Sequence, residues 1–556
     1  MSSSAVAPSP WIVRAGWDLP LVVLTPALVI PLLLLWRAGS GDQVVYATVL
    51  AFGALGHHLP GMLRAYGDRA LFTRFRTRFL CAPLFLVLVC GGFSVAGLHG
   101  VAMVALFWGI WHGWMQTYGF ARIYDHKRGS VARTTARIDF ALCAAWFVGA
   151  VVVSPHRSFQ ILDQLARCGL PLPSAAILDV ATAIAWAALC ASSLLYVAHA
   201  VHLVRAGTPA SPQKHLLLGS SLGAWWIATN AVPSLVFGLA LFELFHDVQY
   251  LAIVWAFNRR RASDGANSGG FTRWLFRGGF TSAGLYVGLV IGYGALGPLA
   301  ERVGEGAVRD ALAGALVASQ LLHFYFDGFI WKVRERDTST SLGIASASAA
   351  HAERRGLRHL ALWSLFCGPL VATALTEREA APETERAMAI ASLLPDSAEA
   401  QTRAGLQLAR AERAHDALAP LRRAHALDPA DETRRVDLAR TLAEAADADL
   451  RDGRAPEARA RLLEAQQLEP AFPMALRQLV AMRAEAKDLA AAMRAVDMLE
   501  IVAPGPDARF DRARVLAQGG RLQDALAIVR AILATAPTRL DVREFEQVLL
   551  RSLGSR

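Results

Sequence analysis

The 556-residue sequence has few cysteines, six in all, and no two of them stand in a CxxC pair or at metal-knuckle spacing. Five sit in apolar segments (Cys81, Cys90, Cys143, Cys190 and Cys367) and only Cys168 does not, so neither a disulfide framework nor a zinc ribbon is indicated. Glycine-rich phosphate loops, Walker sequences and GxSxG elbows in a strand-turn-helix setting are also missing, which leaves ATP-driven transport and serine hydrolysis without support. Charge is sparse, at 18% of residues against 54% hydrophobic ones. A chain this long and this apolar is neither one ordinary domain nor a soluble one, and reads as a membrane protein with something attached.

The formal net charge of +10 is unevenly placed: residues 1–376 hold 29 Lys+Arg against 17 Asp+Glu, and residues 377–556 hold 27 against 29. A basic excess confined to the apolar part marks membrane orientation, so no nucleic-acid partner is expected. The first hydrophobic run, LPLVVLTPALVIPLLLLW, is too long for a signal-peptide core and lacks a small-x-small cleavage site after it, and reads as a retained anchor. Apolar runs of spanning length fall near 18–37, 44–63, 79–98, 101–121, 138–154, 176–204, 215–236, 240–258, 276–297, 308–331 and 358–376, eleven in all. Basic clusters at Arg64 to Arg78, Arg122 to Arg137, Arg205 to Lys214, Arg259 to Arg277 and Lys332 to Arg358 each follow an even-numbered span. The positive-inside rule then places the N-terminus in the cytoplasm and carries the region beyond the eleventh span to the outer side, the periplasm if the membrane is a bacterial inner membrane. Asp18, at the mouth of the first span, could act as a sugar-transferase acid only if that end faced outward, which the charge rule opposes.

Beyond residue 380 the composition shifts to Ala, Arg, Glu, Asp and Leu with helical periodicity, and prolines recur at 395, 429, 470, 504 and 537, separations of 34, 41, 34 and 33. Such a period signals stacked helical hairpins. In GLQLARAERAHDALAPLRRAHALDP, Gly405, Ala417, Leu421, Ala424 and Pro429 stand at the small, small, large, small and proline positions of a tetratricopeptide repeat, which the segment resembles. Ala458, Leu462, Ala465 and Pro470 repeat the pattern, as do Ala492, Val496 and Pro504, and Ala513, Ala525, Val529 and Pro537. The 41-residue unit departs from it by extra residues around AEAADADLRDG. The resemblance implies a TPR-type α-solenoid with a concave groove for a protein or peptide partner. The expected fold is therefore all-α: a polytopic helical membrane bundle of about eleven spans in residues 1–376, followed by a TPR-like repeat domain in residues 377–556.

Histidine is rare inside spans, yet here it occurs in GHHLPGMLR (His57, His58), WGIWHGWMQ (His112), ELFHDVQY (His246) and LLHFYFDGF (His323). All lie on even-numbered spans, which run in one direction. Counted back from the first basic residue at each cytoplasmic end, they lie at depths of about 9 to 20 Å. Ionisable groups at such depth face the bundle interior and mark function. Several imidazoles with one or two carboxylates suit iron or copper, and also zinc, and Asp327 and Asp247 are the obvious carboxylates. Polar companions follow on the same faces: Gln116 with His112, Gln249 and Tyr250 with His246, and Asp327 with His323. Adjacent residues stand about 100° apart on a helix, so one of His57 and His58 is expected to point inward. His199 and His202 fall near the cytoplasmic end of span six, where interfacial solvation suffices. The bland alternative is that intramembrane histidines act as hydrogen-bonding glue between helices.

The pattern is that of a membrane metalloprotein, an iron or copper oxygenase, hydroxylase or desaturase acting on an apolar lipid or isoprenoid. Integral-membrane carotenoid-cleaving oxygenases are similar in scattering histidines over several spans, but share no motif with this chain. The clustered His boxes of membrane fatty-acid desaturases are absent. Two other readings stand beside it. Paired axial histidines would make a haem b electron-transfer subunit. Alternatively, the spans serve an envelope scaffold, or a protein handling polyprenyl-linked glycans, whose repeat groove recruits a partner.

Overall fold

In the computed structural model, residues 9–130, 132–263, 270–330, 355–377 and 381–554 are described; the basic stretch from Lys332 lies outside them up to residue 354. Among the described residues the chain is helical throughout, without strands, and it divides into two compact units, Met1–Pro382 and Glu383–Arg556.

The first unit opens with a short helix α1 (Ala15–Asp18) that runs through a π-helical turn, Leu19–Val23, into α2 (Thr25–Ser40) with a bend of 58°. The helices α3 (Asp42–Val49) and α4 (His58–Gly67) are separated by a second π-turn, Leu50–Ala54. There follow α5 (Arg69–Val95), α6 (Gly100–Lys127), α7 (Arg133–Val152), α8 (Pro155–Arg167), α9 (Ala175–Arg205) and α10 (Pro212–Trp226). A third π-turn, Ile227–Ala231, precedes α11 (Leu235–Ser263). The unit closes with α12 (Gly270–Leu275), α13 (Phe280–Gly294), α14 (Leu296–Glu301), α15 (Ala307–Ile330) and α16 (Arg355–Thr376).

Among the described residues, six segments are long and apolar enough to cross a membrane: α5, α7, α9, α11, Phe280–Glu301 and His359–Thr376, with the bent pair at the N-terminus a seventh. Their packing separates an outer from an inner set. Only 11% of the apolar stretch of α9 is buried by protein, against 61% for α11. On α9 the side chains of Ile177, Val180, Ile184, Leu194, Val197 and Val204 are exposed, as are Leu84 and Leu88 on α5. Apolar side chains left open along whole helices fit a lipid surround, where burial against protein is not required. Helix also runs through the other expected spans, but α3 and α4 are broken by a π-turn, α10 stops at Trp226, and α6 and α15 carry polar residues in mid-helix. Of these less apolar segments, α4, α6 and α15 meet in the interior together with α11.

Two polar arrangements fasten the bundle near the C-terminal end of α6. Asp18, fully buried, accepts from the backbone N–H of Ile12 and Val13 at 2.6 and 3.0 Å and from the Tyr124 hydroxyl at 3.0 Å, so its role is to pin the N-terminal segment to α6. Near the end of α6, Lys214 donates to Asp125 and Asp139 at 2.9 and 3.0 Å, and Arg122 reaches the same carboxylate oxygens at 2.5 and 3.3 Å. Two cations against two carboxylates leave this buried group neutral, the condition under which buried charge is tolerated.

The second unit is a succession of helices, each in contact with the next, from Glu383–Leu393 and Ala398–Arg410 to Leu522–Thr535 and Leu540–Gly554. Small residues permit the close approach. A Cβ added to Gly405 would lie 2.5 Å from Leu421 Cγ, and Ala417, Ala424, Ala458 and Ala465 are fully buried. The helix Glu432–Arg451 runs 20 residues where Ala398–Arg410 and Phe472–Glu485 run 13 and 14, which is where the longest proline interval takes up its extra length.

Candidate metal centre

Four helices of the first unit, α4, α6, α11 and α15, bring their polar residues to one place. His57 stacks edge-on to His58, His323 and His246, with ring centroids 4.7, 4.6 and 5.4 Å away. His112 lies 5.1 Å from His246 and 4.7 Å from His323, and its Nε2 is 3.1 Å from His323 Nε2. His58 stacks on His323 at 5.0 Å. All five imidazoles are buried, from 1% exposed at His323 to 8% at His112.

Both members of the His57/His58 pair thus enter the cluster, where the helical angle predicts one. The reason is local. The π-turn Leu50–Ala54 and the turn after it end the preceding helix, and His57 is the N-cap of α4, so the two residues do not share a continuous helix and its 100° step does not relate them. His199 hydrogen-bonds Thr135 Oγ1 at 2.9 Å and stands near His202 at 6.5 Å, on α9 and outside the cluster.

Three carboxylates border the imidazoles. Asp327 Oδ2 is 3.7 Å from His323 Nε2, and Asp327 Oδ1 accepts from the Tyr250 hydroxyl at 3.0 Å. Asp247, 1% exposed, places Oδ1 2.7 Å from His57 Nδ1, while that nitrogen also lies 3.3 Å from the Gly53 carbonyl. Glu243 stands one turn before Asp247 on α11, on the same side. Three sets each bring one ligand atom per residue within 4.8 Å of one another: His57, His112 and His246; His112, His323 and Asp327; and His57, Glu243 and Asp247.

The expected companions divide. Tyr250 faces the cluster, 5.0 Å from His323 ring to ring, and steadies Asp327. Gln116 donates to the backbone carbonyl of His246 at 3.0 Å instead of meeting the His112 ring, so it joins α6 to α11. Gln249 turns to the Val22 carbonyl at 2.7 Å. Sequence reasoning missed Glu243 and Ser319. Ser319 Oγ holds His58 Nδ1 at 3.1 Å and is itself 2.8 Å from the Tyr293 hydroxyl. Each stands four residues before a residue already singled out, Asp247 and His323, and that helical spacing was the available signal.

Two glycines make room for the polar groups. A Cβ at Gly61 would lie 2.9 Å from the Tyr250 hydroxyl and 3.6 Å from both Asp327 Oδ1 and His323 Nδ1; one at Gly53 would lie 2.6 Å from Asp247 Oδ2. Apolar rings wall the other side: Phe324 stacks on His112 at 4.6 Å and Phe242 on His246 at 5.4 Å.

The residues fit a metal ion by a direct criterion. His57 Nε2, His323 Nδ1 and Asp247 Oδ2 are buried without a hydrogen-bond partner. Leaving such a group unsatisfied costs about 1–3 kcal/mol, more when it is charged, and buried charges are ordinarily paired or bound to metal. An ion among these atoms would satisfy several at once. An open cleft of about 410 Å³ lined by Trp17, Trp255, Arg259, Arg260 and Arg277 lies toward the other end of α11 and is separate from this cluster. No protein-family model matches the sequence, and no curated protein matches it.

Proposed function

We propose that the first unit is a polytopic membrane metalloprotein, an oxidoreductase whose non-haem iron, or copper, acts on a lipid or isoprenoid. The observation that carries this reading is the convergence of five imidazoles and three carboxylates from four helices, with buried nitrogen and oxygen atoms left unpartnered. His112, His323 and Asp327 are the two-histidine, one-carboxylate set suited to iron that keeps open positions for oxygen chemistry. In this account His323 and His112 present nitrogen ligands, Tyr250 fixes the carboxylate of Asp327, and Ser319 with Tyr293 orients His58. The rings of Phe242 and Phe324 exclude water and offer an apolar wall to a hydrocarbon substrate. Imidazoles only 4.6–5.4 Å apart favour an ion over the haem reading, because a macrocycle between axial histidines would have to part them.

About eleven spans with a cytoplasmic N-terminus are part of the same proposal, supported by helix in every expected span and by the inner position of the less apolar ones. The second unit is then a TPR-type solenoid on the periplasmic side of a bacterial inner membrane, recruiting a protein partner in its groove, a role that the stacked helices and small packed residues support. The test is oxygen consumption by purified protein loaded with Fe(II) or Cu(I) and supplied with excess two-electron reductant, with and without a membrane-lipid extract. Uptake that needs both metal and extract and disappears in His323→Ala supports the reading. Uptake indifferent to metal, or none with either metal, contradicts it.

A further inference from the structure

The three ligand sets are not equivalent, because two of them share no residue. His112, His323 and Asp327 form one set; His57, Glu243 and Asp247 form another. The third set borrows one histidine from each. We infer that the centre holds two divalent first-row metal ions, the first on His112, His323 and Asp327 and the second on His57, Glu243 and Asp247. This rests on the metal reading of the site proposed above.

The second set stands on its own observations. Glu243 and Asp247 lie one helical turn apart and face the same imidazole, and two adjacent carboxylates repel unless one takes up a proton or a cation lies between them. No Lys or Arg is among the ion-pair partners of either carboxylate, and His57 is the sole charged-capable group paired with Asp247 among the described residues. Asp247 Oδ2 has no hydrogen-bond donor although the residue is 1% exposed, and Oδ1 meets His57 Nδ1 at 2.7 Å. Gly53 keeps the space beside Asp247 Oδ2 clear of a side chain. The two sets adjoin, since the rings of His57 and His323 are 4.6 Å apart, so two ions here would be neighbours of the kind that share a substrate or bridging ligand. His246 and His58, outside both sets, remain to complete either coordination shell.

The rival is a single ion on His57, His112 and His246, with Asp247 merely orienting the His57 ring as carboxylates do behind metal-bound histidines. Co(II) binding to metal-free, detergent-purified full-length protein separates the two. Wild type is expected to take up two ions per chain. Glu243→Gln/Asp247→Asn should retain one, His112→Ala/Asp327→Asn should retain one, and the four changes together none. One ion in wild type, whichever variant then keeps it, overturns the inference while leaving the metal reading intact. No ion in wild type overturns both. The wild-type stoichiometry decides even if a variant fails to fold, and Glu243→Gln alone, at a half-buried position, supplies a milder probe that should weaken the second ion only.

Discussion

Tyr250→Phe removes a single oxygen from the centre and leaves the ring packing of α11 in place. The lost hydroxyl donates to Asp327 Oδ1 at 3.0 Å, the oxygen not directed at His323. A hydrogen bond to a charged group contributes about 1.5–3 kcal/mol, and groups that orient a metal ligand change affinity by about 10–100-fold, which is about 1.4–2.8 kcal/mol. The two estimates agree, so Tyr250→Phe should weaken metal binding by about 10–100-fold without unfolding the bundle. Competition against a chelator of known affinity measures this in detergent, with Asp327→Asn and the double variant alongside. If Tyr250 acts through Asp327, the double variant should bind no more weakly than Asp327→Asn. Additive losses would show that Tyr250 acts elsewhere, and an affinity unchanged in Tyr250→Phe would refute the reasoning. Gly61→Ala, whose Cβ would lie 2.9 Å from that hydroxyl, should act in the same direction.

Other expectations concern the frame. Lys214→Met leaves Asp125 and Asp139 facing Arg122 alone, and breaking a buried ion group costs about 3–5 kcal/mol, so thermal stability should fall sharply while metal stoichiometry in the surviving folded protein stays constant. In the second unit, Gly405→Val drives a side chain into Leu421 and should cost about 1–3 kcal/mol, read as faster hydrogen exchange in Ala398–Arg410 and Ala414–Leu427. Burial works to raise the Asp449 carboxyl, but hydrogen bonds from His415 and Arg454 and the charge of Arg461 outweigh it and hold it below its ordinary value. A depressed folded value means the stabilisation is present above the unfolded value of about 3.9 and is lost as pH falls through the folded one. Exchange in Glu432–Arg451 should therefore accelerate below about pH 4, and Asp449→Asn should flatten that dependence.

Much of the all-helical plan was legible in the sequence because it rests on composition and period. The outer helices announce themselves through unbroken apolar runs, as in α9. The inner ones are quieter, since α6 and α15 need protein rather than lipid around His112, Gln116, His323 and Asp327, and their hydropathy falls accordingly. The histidines of the cluster were visible in the sequence as imidazoles inside expected spans, each a similar distance before the next basic residue. Depth is a one-dimensional quantity that counting supplies. The rotation of each helix is not, because it follows from packing against neighbours distant in sequence, which is why Gln249 was assigned to the cluster and Glu243 was overlooked. The π-turn before His57 has no marker in composition, and it is what admits both histidines. In the second unit, proline spacing exposed the long interval, and Glu432–Arg451 absorbs it as added helix.

The central claim is that these side chains hold metal. Its most direct test is the metal content of full-length protein purified in detergent without added ions, compared with the double variant His246→Ala/His323→Ala. Iron or copper is expected at up to two ions per chain in wild type and at a lower content in the variant, which lacks a ligand of the first set. Metal absent from wild type, or retained undiminished when both histidines are gone, would contradict it.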